Sequence, residues 1–169
     1  MITNLITKEK IKQPKPIDNE VIFDGGAMIT ETDKAGIITY ANKKFRVTTG
    51  YSLEELVGSP HSINRHPDMP AVAFKGMWKT IKDELMWEGH VKNMCKDGSY
   101  YWVLVWVQPK YDEDGTHVGY IAGRKKPDRI TLPEIAKNYK KLKDVEEINT
   151  EGSMLKRLFS GNKLVDTDR

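Results

Sequence analysis

The sequence predicts an α+β fold, with a five-stranded antiparallel sheet, short helices on one face of the sheet and a C-terminal helix. Two short strand-like runs come first, several short amphipathic segments follow, and three longer runs of alternating polarity come next. Two strands, a set of helices and then a three-strand meander are typical of one sheet covered by helices on a single face.

Turn and cap residues place the first elements. The strands 27–32 and 36–41 flank a turn that Asp33 begins. Asn42 can cap a helix that Gly50 ends, and Ser52, followed by two glutamates, can begin a second one. Residues 61–69 are expected to be irregular.

A longer helix and the meander follow. Pro70 is expected at the first helical position, where its missing N–H costs little. The apolar face of this helix has helical spacing and consists of Phe74, Met77, Trp78 and Ile81. Runs 87–96, 99–109 and 116–125 are expected to be strands. A helix over 132–148 and a polar break at 149–153 complete the pattern.

On the second of these strands, alternation separates an inner from an outer face. The inner face is expected to consist of Tyr101, Val103, Val105 and Val107. Trp102, Leu104 and Trp106 would then point outward, and an outward apolar set of that size indicates a docking surface.

Composition excludes several classes of protein. The 169 residues carry a formal net charge of +3 and one cysteine, Cys95, which excludes an intramolecular disulfide and a multi-cysteine metal site. Basic residues alternate with acidic ones, so no nucleic-acid site is expected. No apolar run approaches the roughly 18–20 residues of a membrane span, and no signal peptide is evident.

The densest polar cluster lies in the loop after Pro60 and consists of His61, Asn64, Arg65, His66 and Asp68. Arginine suits bidentate contacts with phosphate oxygens, and histidine can stack on an aromatic ring, so the cluster fits a dinucleotide. It can equally be an ordinary surface loop. A zinc site is the rival, but no second cysteine and no histidine pair at helical spacing support it.

A second candidate region is the strand face of Trp87 and Asn93. Trp87 can be a plain core residue, or this face can line a ring-shaped pocket. In the second case the Asn93 amide could bond the edge of a heterocycle such as a flavin.

Two motifs carry a family resemblance over about residues 25–128. Residues 29–58 resemble the first half of a PAS domain in general. The second half is similar to the FAD-binding PAS domains of the aerotaxis-receptor and energy-taxis type, through Arg65-His66-Pro67-Asp68-Met69-Pro70, Trp87-Glu88-Gly89, Val91-Lys92-Asn93 and Lys96-Asp97-Gly98.

The resemblance implies non-covalent FAD and a sensor of redox or oxygen state, without substrate turnover. It ties Arg65, His66 and Asp68 to FAD binding, places His61 and Trp87 around the adenosine end, and places Asn42 and Asn93 near the pocket or its signalling path. Asn64 stands where the flavin photoreceptors carry a cysteine, so no covalent photoadduct is expected.

The implied organisation has an N-terminal cap (1–24, flexible or partly helical), a PAS sensory domain (25–128), and a C-terminal signalling helix and tail (129–169). Because the chain ends soon after this helix, we expect it to signal in trans to a membrane-bound, HAMP-containing chemoreceptor. The helix would couple to that partner or form a homodimer. The protein would be cytoplasmic, free or held at the inner membrane through its partner.

Three alternatives stay open: a flavin redox module for another regulator, a ligand-free PAS interaction adaptor, and a flavin-dependent oxidoreductase. Flavin content separates the adaptor from the sensors, and turnover of a reduced nicotinamide would indicate the oxidoreductase.

Overall fold

A computed structural model describes residues 1–160, with side chains as far as residue 155; the predicted tail 161–169 lies outside the described residues. The strands are β1 (Ile2–Thr3), β2 (Lys10–Ile11), β3 (Met28–Asp33), β4 (Ile38–Ala41), β5 (Trp87–Met94), β6 (Tyr100–Tyr111) and β7 (His117–Lys125). The α-helices are α1 (Lys43–Thr49), α2 (Leu53–Leu56), α3 (Ala71–Lys82) and α4 (Leu132–Ser160).

Strands β3 to β7 form one antiparallel sheet in the order β4-β3-β7-β6-β5, which confirms the predicted five-stranded architecture. The first hairpin and the meander meet where β3 pairs with β7, with Thr30 opposite Ala122. Strand β5 is one edge of the sheet and β4 is the other.

The predicted helix caps at Asn42 and Ser52 are confirmed. Ser52 and Glu55 form a reciprocal capping box, and Gly50 ends α1 in the left-handed conformation at φ 77°. The expectation for Pro70 is wrong: its ψ of 139° is extended, so it is the N-cap and the helix begins at Ala71. The loop expected over 61–69 begins with a 3-10 helix, His61–Asn64.

The core lies between the inner face of the sheet and the helices. The helical side contributes Phe45, Leu56, Ile63 and Ile81, and the sheet contributes Met28, Tyr101 and Val103. The alternation predicted for β6 is confirmed, because Val103, Val105 and Val107 are buried while Trp102, Leu104 and Trp106 are partly exposed on the other face.

The N-terminal segment departs from the prediction of a flexible or partly helical cap. Strands β1 and β2 form a small hairpin, and the buried Asn4 side chain donates to the Glu54 and Val57 carbonyls at 3.1 and 2.9 Å. The Gln13 amide donates to the Ser62 carbonyl at 2.9 Å. These bonds fix the segment against the domain through partners far away in sequence.

Helix α4 also departs from the prediction, because it runs through 149–153 without a break. Polar residues there stay helical by bonding within the helix: the Thr150 hydroxyl donates to the Glu146 carbonyl at 2.8 Å. Among the described residues, no helix is both long and apolar enough to cross a membrane.

Candidate functional site

A cavity of about 290 Å³ lies between the inner face of the sheet and helix α3. This volume lies just below the range for small-molecule sites, roughly 300–1,000 Å³, and suits a planar ring system. Its apolar wall is formed by Phe74, Met77, Trp78 and Ile81 of α3 and by Val91, Val105 and Val107 of the sheet. The helical spacing noted in the sequence therefore produces one wall of the site.

The most unusual polar group of the cavity is that of Arg124 of β7, a residue that is only 3% exposed. Its Nη1 donates to the Thr30 hydroxyl at 3.1 Å, and its Nη2 lies 2.9 Å from His61 Nε2. The Arg124 Nε is buried without a hydrogen-bond partner, and within residues 1–160 no carboxylate forms an ion pair with this guanidinium.

Burial and this charge set the protonation states in the cavity. Burial lowers the pKa of Arg124 to about 10, so the guanidinium stays charged at neutral pH. Burial, helped by the positive charge of Arg124, lowers the pKa of His61 to about 3. His61 is therefore neutral, and its Nε2 accepts the hydrogen bond from Arg124.

Two amides complete the polar lining. Asn64 and Asn93 are buried and line the cavity. The Asn64 Nδ2 donates to the hydroxyl of the fully buried Tyr101 at 3.2 Å, and burial raises the pKa of Tyr101 to about 12. A neutral phenol behind the wall therefore holds one amide in place, while both amides keep donors and acceptors for a ligand.

Four of the seven residues predicted for the site line this cavity: His61, Arg65, Trp87 and Asn93. The Arg65 guanidinium lies over the Phe74 ring, 4.2 Å from its centroid. A backbone bridge joins Arg65 to Asn93, so the loop and strand β5 are held together at this point.

The other three lie outside the cavity lining. The buried His66 ring accepts from the Asp68 N–H at 3.1 Å, and burial lowers its pKa. Asp68 forms an ion pair with Lys92 at 2.8 Å. Asn42 caps α1, and its side chain also bonds to the backbone of Ile29 in β3 and of Ala27 just before that strand. Their roles in FAD binding stay predictions.

Sequence reasoning missed Arg124. The run Gly123-Arg124-Lys125-Lys126 looks like the charged end of a strand. The alternation used for β6 would have identified Arg124 if it had also been applied to β7, because Tyr120, Ala122 and Arg124 share the inner face of that strand. A charge on a buried face indicates either an internal partner or a ligand.

A five-stranded antiparallel sheet with short helices over one ring-sized cavity defines a sensory domain of the PAS class. Residues 38–122 match the family model described as the PAS fold, and the chain belongs to this family. The resemblance inferred from the motifs is confirmed: the chain is 42% identical over 118 residues to the aerotaxis receptor of Escherichia coli (strain K12), a match covering 70% of this chain and 22% of the receptor.

Other relatives are more distant. The nitrogen fixation regulatory protein of Klebsiella pneumoniae is 29% identical over 102 residues, covering 60% of this chain and 21% of that protein. The chain thus spans about a fifth of the length of these relatives. Among solved structures, the light state of the Aureochrome1 LOV photoreceptor aligns with a TM-score of 0.55 and 25% identity, covering 73% of this chain and 90% of that one. The PAS domain of a Colwellia psychrerythraea protein aligns with a TM-score of 0.54 and 25% identity, covering 60% and 86%.

Proposed function

We propose that the cavity binds the flavin ring of a non-covalent FAD and that the protein is a redox or oxygen sensor. The observation that carries the proposal is the buried guanidinium of Arg124, which has an unpartnered Nε and forms no ion pair within residues 1–160. Burying a charge without a counter-charge is costly. An electron-rich ligand edge beside Arg124 would offset that cost.

The donor set and the size of the cavity fit a flavin. Apolar side chains of α3 and the sheet can cover the two faces of a planar ring, and the Asn64 and Asn93 amides can bond its polar edge. A cavity of about 290 Å³ holds a ring system and leaves the rest of a dinucleotide outside. We infer that the rest of the dinucleotide follows the loop of Arg65, His66 and Asp68, which adjoins the cavity at Arg65.

A bound flavin would supply reversible one- and two-electron chemistry. The fixed positive charge of Arg124 stabilises negative charge that develops at the neighbouring edge of the ligand. The neutral His61 accepts a hydrogen bond and does not add a second positive charge. The Asn93 amide can either donate or accept a hydrogen bond, so a change in the protonation of the ligand can change the bond that Asn93 makes. Because Asn93 belongs to β5, this change would reach the strand directly.

We extend the proposal to the signalling partner, a membrane-bound, HAMP-containing chemoreceptor-type protein contacted in trans. The 42% identity to the aerotaxis receptor supports this choice. On the outer face of β6, the Tyr139 ring of α4 stacks on Trp102, and the partly exposed Leu104 and Trp106 next to it offer an apolar docking surface. Helix α4 is the second candidate contact, to the partner or to a second copy. The protein would then act in the cytoplasm or at the inner membrane through its partner, without substrate turnover.

The similarity to a nitrogen fixation regulatory protein favours a second candidate, in which the same flavin module serves another kind of regulator. The cofactor tests below do not separate the two. Co-purification of the protein with a chemoreceptor fragment, compared with a nitrogen-regulator fragment, does separate them.

The first test is an absorption spectrum of the purified protein, followed by denaturation and chromatography of any released chromophore. Flavin bands and released FAD are expected. A colourless protein that takes up no added FAD would leave the interaction adaptor as the better interpretation. The loop is tested by Arg65→Ala and Asp68→Ala, which should retain less FAD while remaining folded.

The role of Arg124 is tested by Arg124→Met. Removing an unpaired buried charge should leave the apoprotein as stable or more stable. The same change should weaken FAD binding at least tenfold, since hydrogen bonds to charged groups are worth about 1.5–3 kcal/mol. Arg46→Met is the matched control, because Arg46 also has an unpartnered Nε but lies outside the cavity lining. Unchanged FAD affinity in Arg124→Met would contradict the proposal.

A further inference from the structure

The N-terminus of helix α3 is capped by a side chain from another helix. Pro70 has no side-chain cap to offer, and the first turn of α3 carries no acidic residue. The Glu146 carboxylate of α4 takes this place: Oε2 accepts from the Ala71 N–H and Oε1 from the Val72 N–H, both at 2.9 Å. A carboxylate at a helix N-terminus satisfies otherwise free N–H groups and interacts favourably with the helix dipole.

The same face of α4 also contacts strand β5, which lines the opposite side of the cavity. The Tyr139 hydroxyl donates to the His90 carbonyl of edge strand β5 at 2.7 Å, and its ring stacks on Trp102 of β6. Tyr139 and Glu146 are seven residues apart, which is two helical turns or about 10.5 Å along one face. A single rigid helix thus contacts α3 at one point and β5 at another.

Both contacted elements line the cavity. Helix α3 contributes Phe74, Met77, Trp78 and Ile81, and β5 contributes Trp87, Val91 and Asn93. A movement of α3 away from β5 would break the Glu146 cap or the Tyr139 bond, since α4 cannot stretch to keep both. The separation of the two walls is therefore tied to the docking of α4.

We propose that α4 is a brace across the cavity: Glu146 on α3 and Tyr139 on β5 hold the walls at the ligand-binding separation, so ligand binding and docking of α4 are coupled. The identity of the ligand rests on the function proposed above, whereas the brace itself rests on these contacts. Coupling of this kind is reciprocal, so a ligand that favours the closed walls also favours docked α4.

The test compares the full-length chain with Glu146→Gln and with the control Glu151→Gln. Both changes remove one negative charge from α4, but Glu151 is exposed and lies beyond the docked turns. Amide hydrogen exchange of Ala71 and Val72 reports the cap directly, and titration with FAD reports the cavity. We expect Glu146→Gln to speed exchange at both amides and to weaken FAD binding, each about tenfold, a factor that corresponds to a cap of typical strength. Glu151→Gln should match the wild type.

A ligand-free measurement keeps the two proposals apart. Tyr139→Phe removes only the hydroxyl on β5, and a true brace should then also speed exchange at Ala71 and Val72, two turns away. If those amides exchange as in the wild type in Tyr139→Phe, the contacts are independent and the brace is wrong. If FAD binds Glu146→Gln as tightly as the wild type while the amides exchange faster, the cap is local and the coupling is wrong. If the wild-type protein binds no FAD, the function proposed above is wrong, and amide exchange in Tyr139→Phe alone decides whether the brace exists.

Discussion

Replacing Asn42 by alanine removes three hydrogen bonds, one that caps helix α1 and two that join this cap to the backbone at the start of β3. The Asn42 Oδ1 accepts from the Phe45 N–H at 3.0 Å and the Ile29 N–H at 3.1 Å, and Nδ2 donates to the Ala27 carbonyl at 2.8 Å. A helix cap contributes about 1 kcal/mol and each further hydrogen bond about 1 kcal/mol. We therefore expect Asn42→Ala to lose about 3 kcal/mol in free energy of unfolding.

Urea denaturation followed by tryptophan fluorescence measures this loss. With an m-value of about 2 kcal/mol/M, the midpoint should fall by about 1.5 M at unchanged m. Ser52→Ala is the control, since it removes only the exposed cap of α2 and should cost about 1 kcal/mol.

The result also decides between two roles for Asn42. Because Asn42 lies outside the cavity lining, folded Asn42→Ala should bind FAD as the wild type does. A loss of stability below about 1 kcal/mol, combined with loss of FAD, would refute the structural reasoning and favour a cofactor contact.

Three further predictions concern stability. Because the pKa of His61 is lowered to about 3, protonation of His61 favours the unfolded chain, so the contribution of His61 to stability is complete above about pH 6.5 and is lost below it. At pH 5 the free energy of unfolding should be lower by about 2 kcal/mol. Urea titrations at pH 7.5 and 5 should show that His61→Gln flattens this pH dependence. Gly123→Ala should destabilise by about 1–3 kcal/mol, because an added Cβ collides with the Trp106 ring; an unchanged melting curve would contradict that packing. Gly76→Ala should raise the free energy of unfolding by about 0.5–1 kcal/mol, because Gly76 is exposed within α3 with open space around it. A lower melting temperature in thermal unfolding would contradict a helical conformation at this position.

The sequence was sufficient to predict the features that depend on residues only a few positions apart, such as helix caps and the two faces of a strand. The helix caps at Asn42, Gly50 and Ser52 are bonds to residues three or four positions away, so they could be predicted. Alternation along β6 separated Val105 from Trp106 correctly, because the inner face of the strand is buried in the core whereas the outer face stays partly exposed.

Long-range contacts decided the parts that could not be predicted. Asn4 looks like a polar residue of a loose terminus, and its burial depends on carbonyls 50 or more residues later. Arg124 is buried because β7 pairs with β3 beside His61 and Thr30, a neighbourhood that only the folded sheet creates. The cap of α3 by Glu146 spans 75 residues and leaves no local signature.

The N-terminal segment has a consequence for the order of folding. Asn4 leaves the ribosome well before its partner Val57, and Glu20 well before Arg129, with which it forms a bidentate ion pair 109 residues away. Contacts of such high sequence separation form slowly, because the entropy of closing a long loop must be overcome first. We therefore expect this segment to close last, over a domain already formed. A slow final phase in refolding, abolished by Glu20→Gln together with Asn4→Ala, would be its kinetic signature.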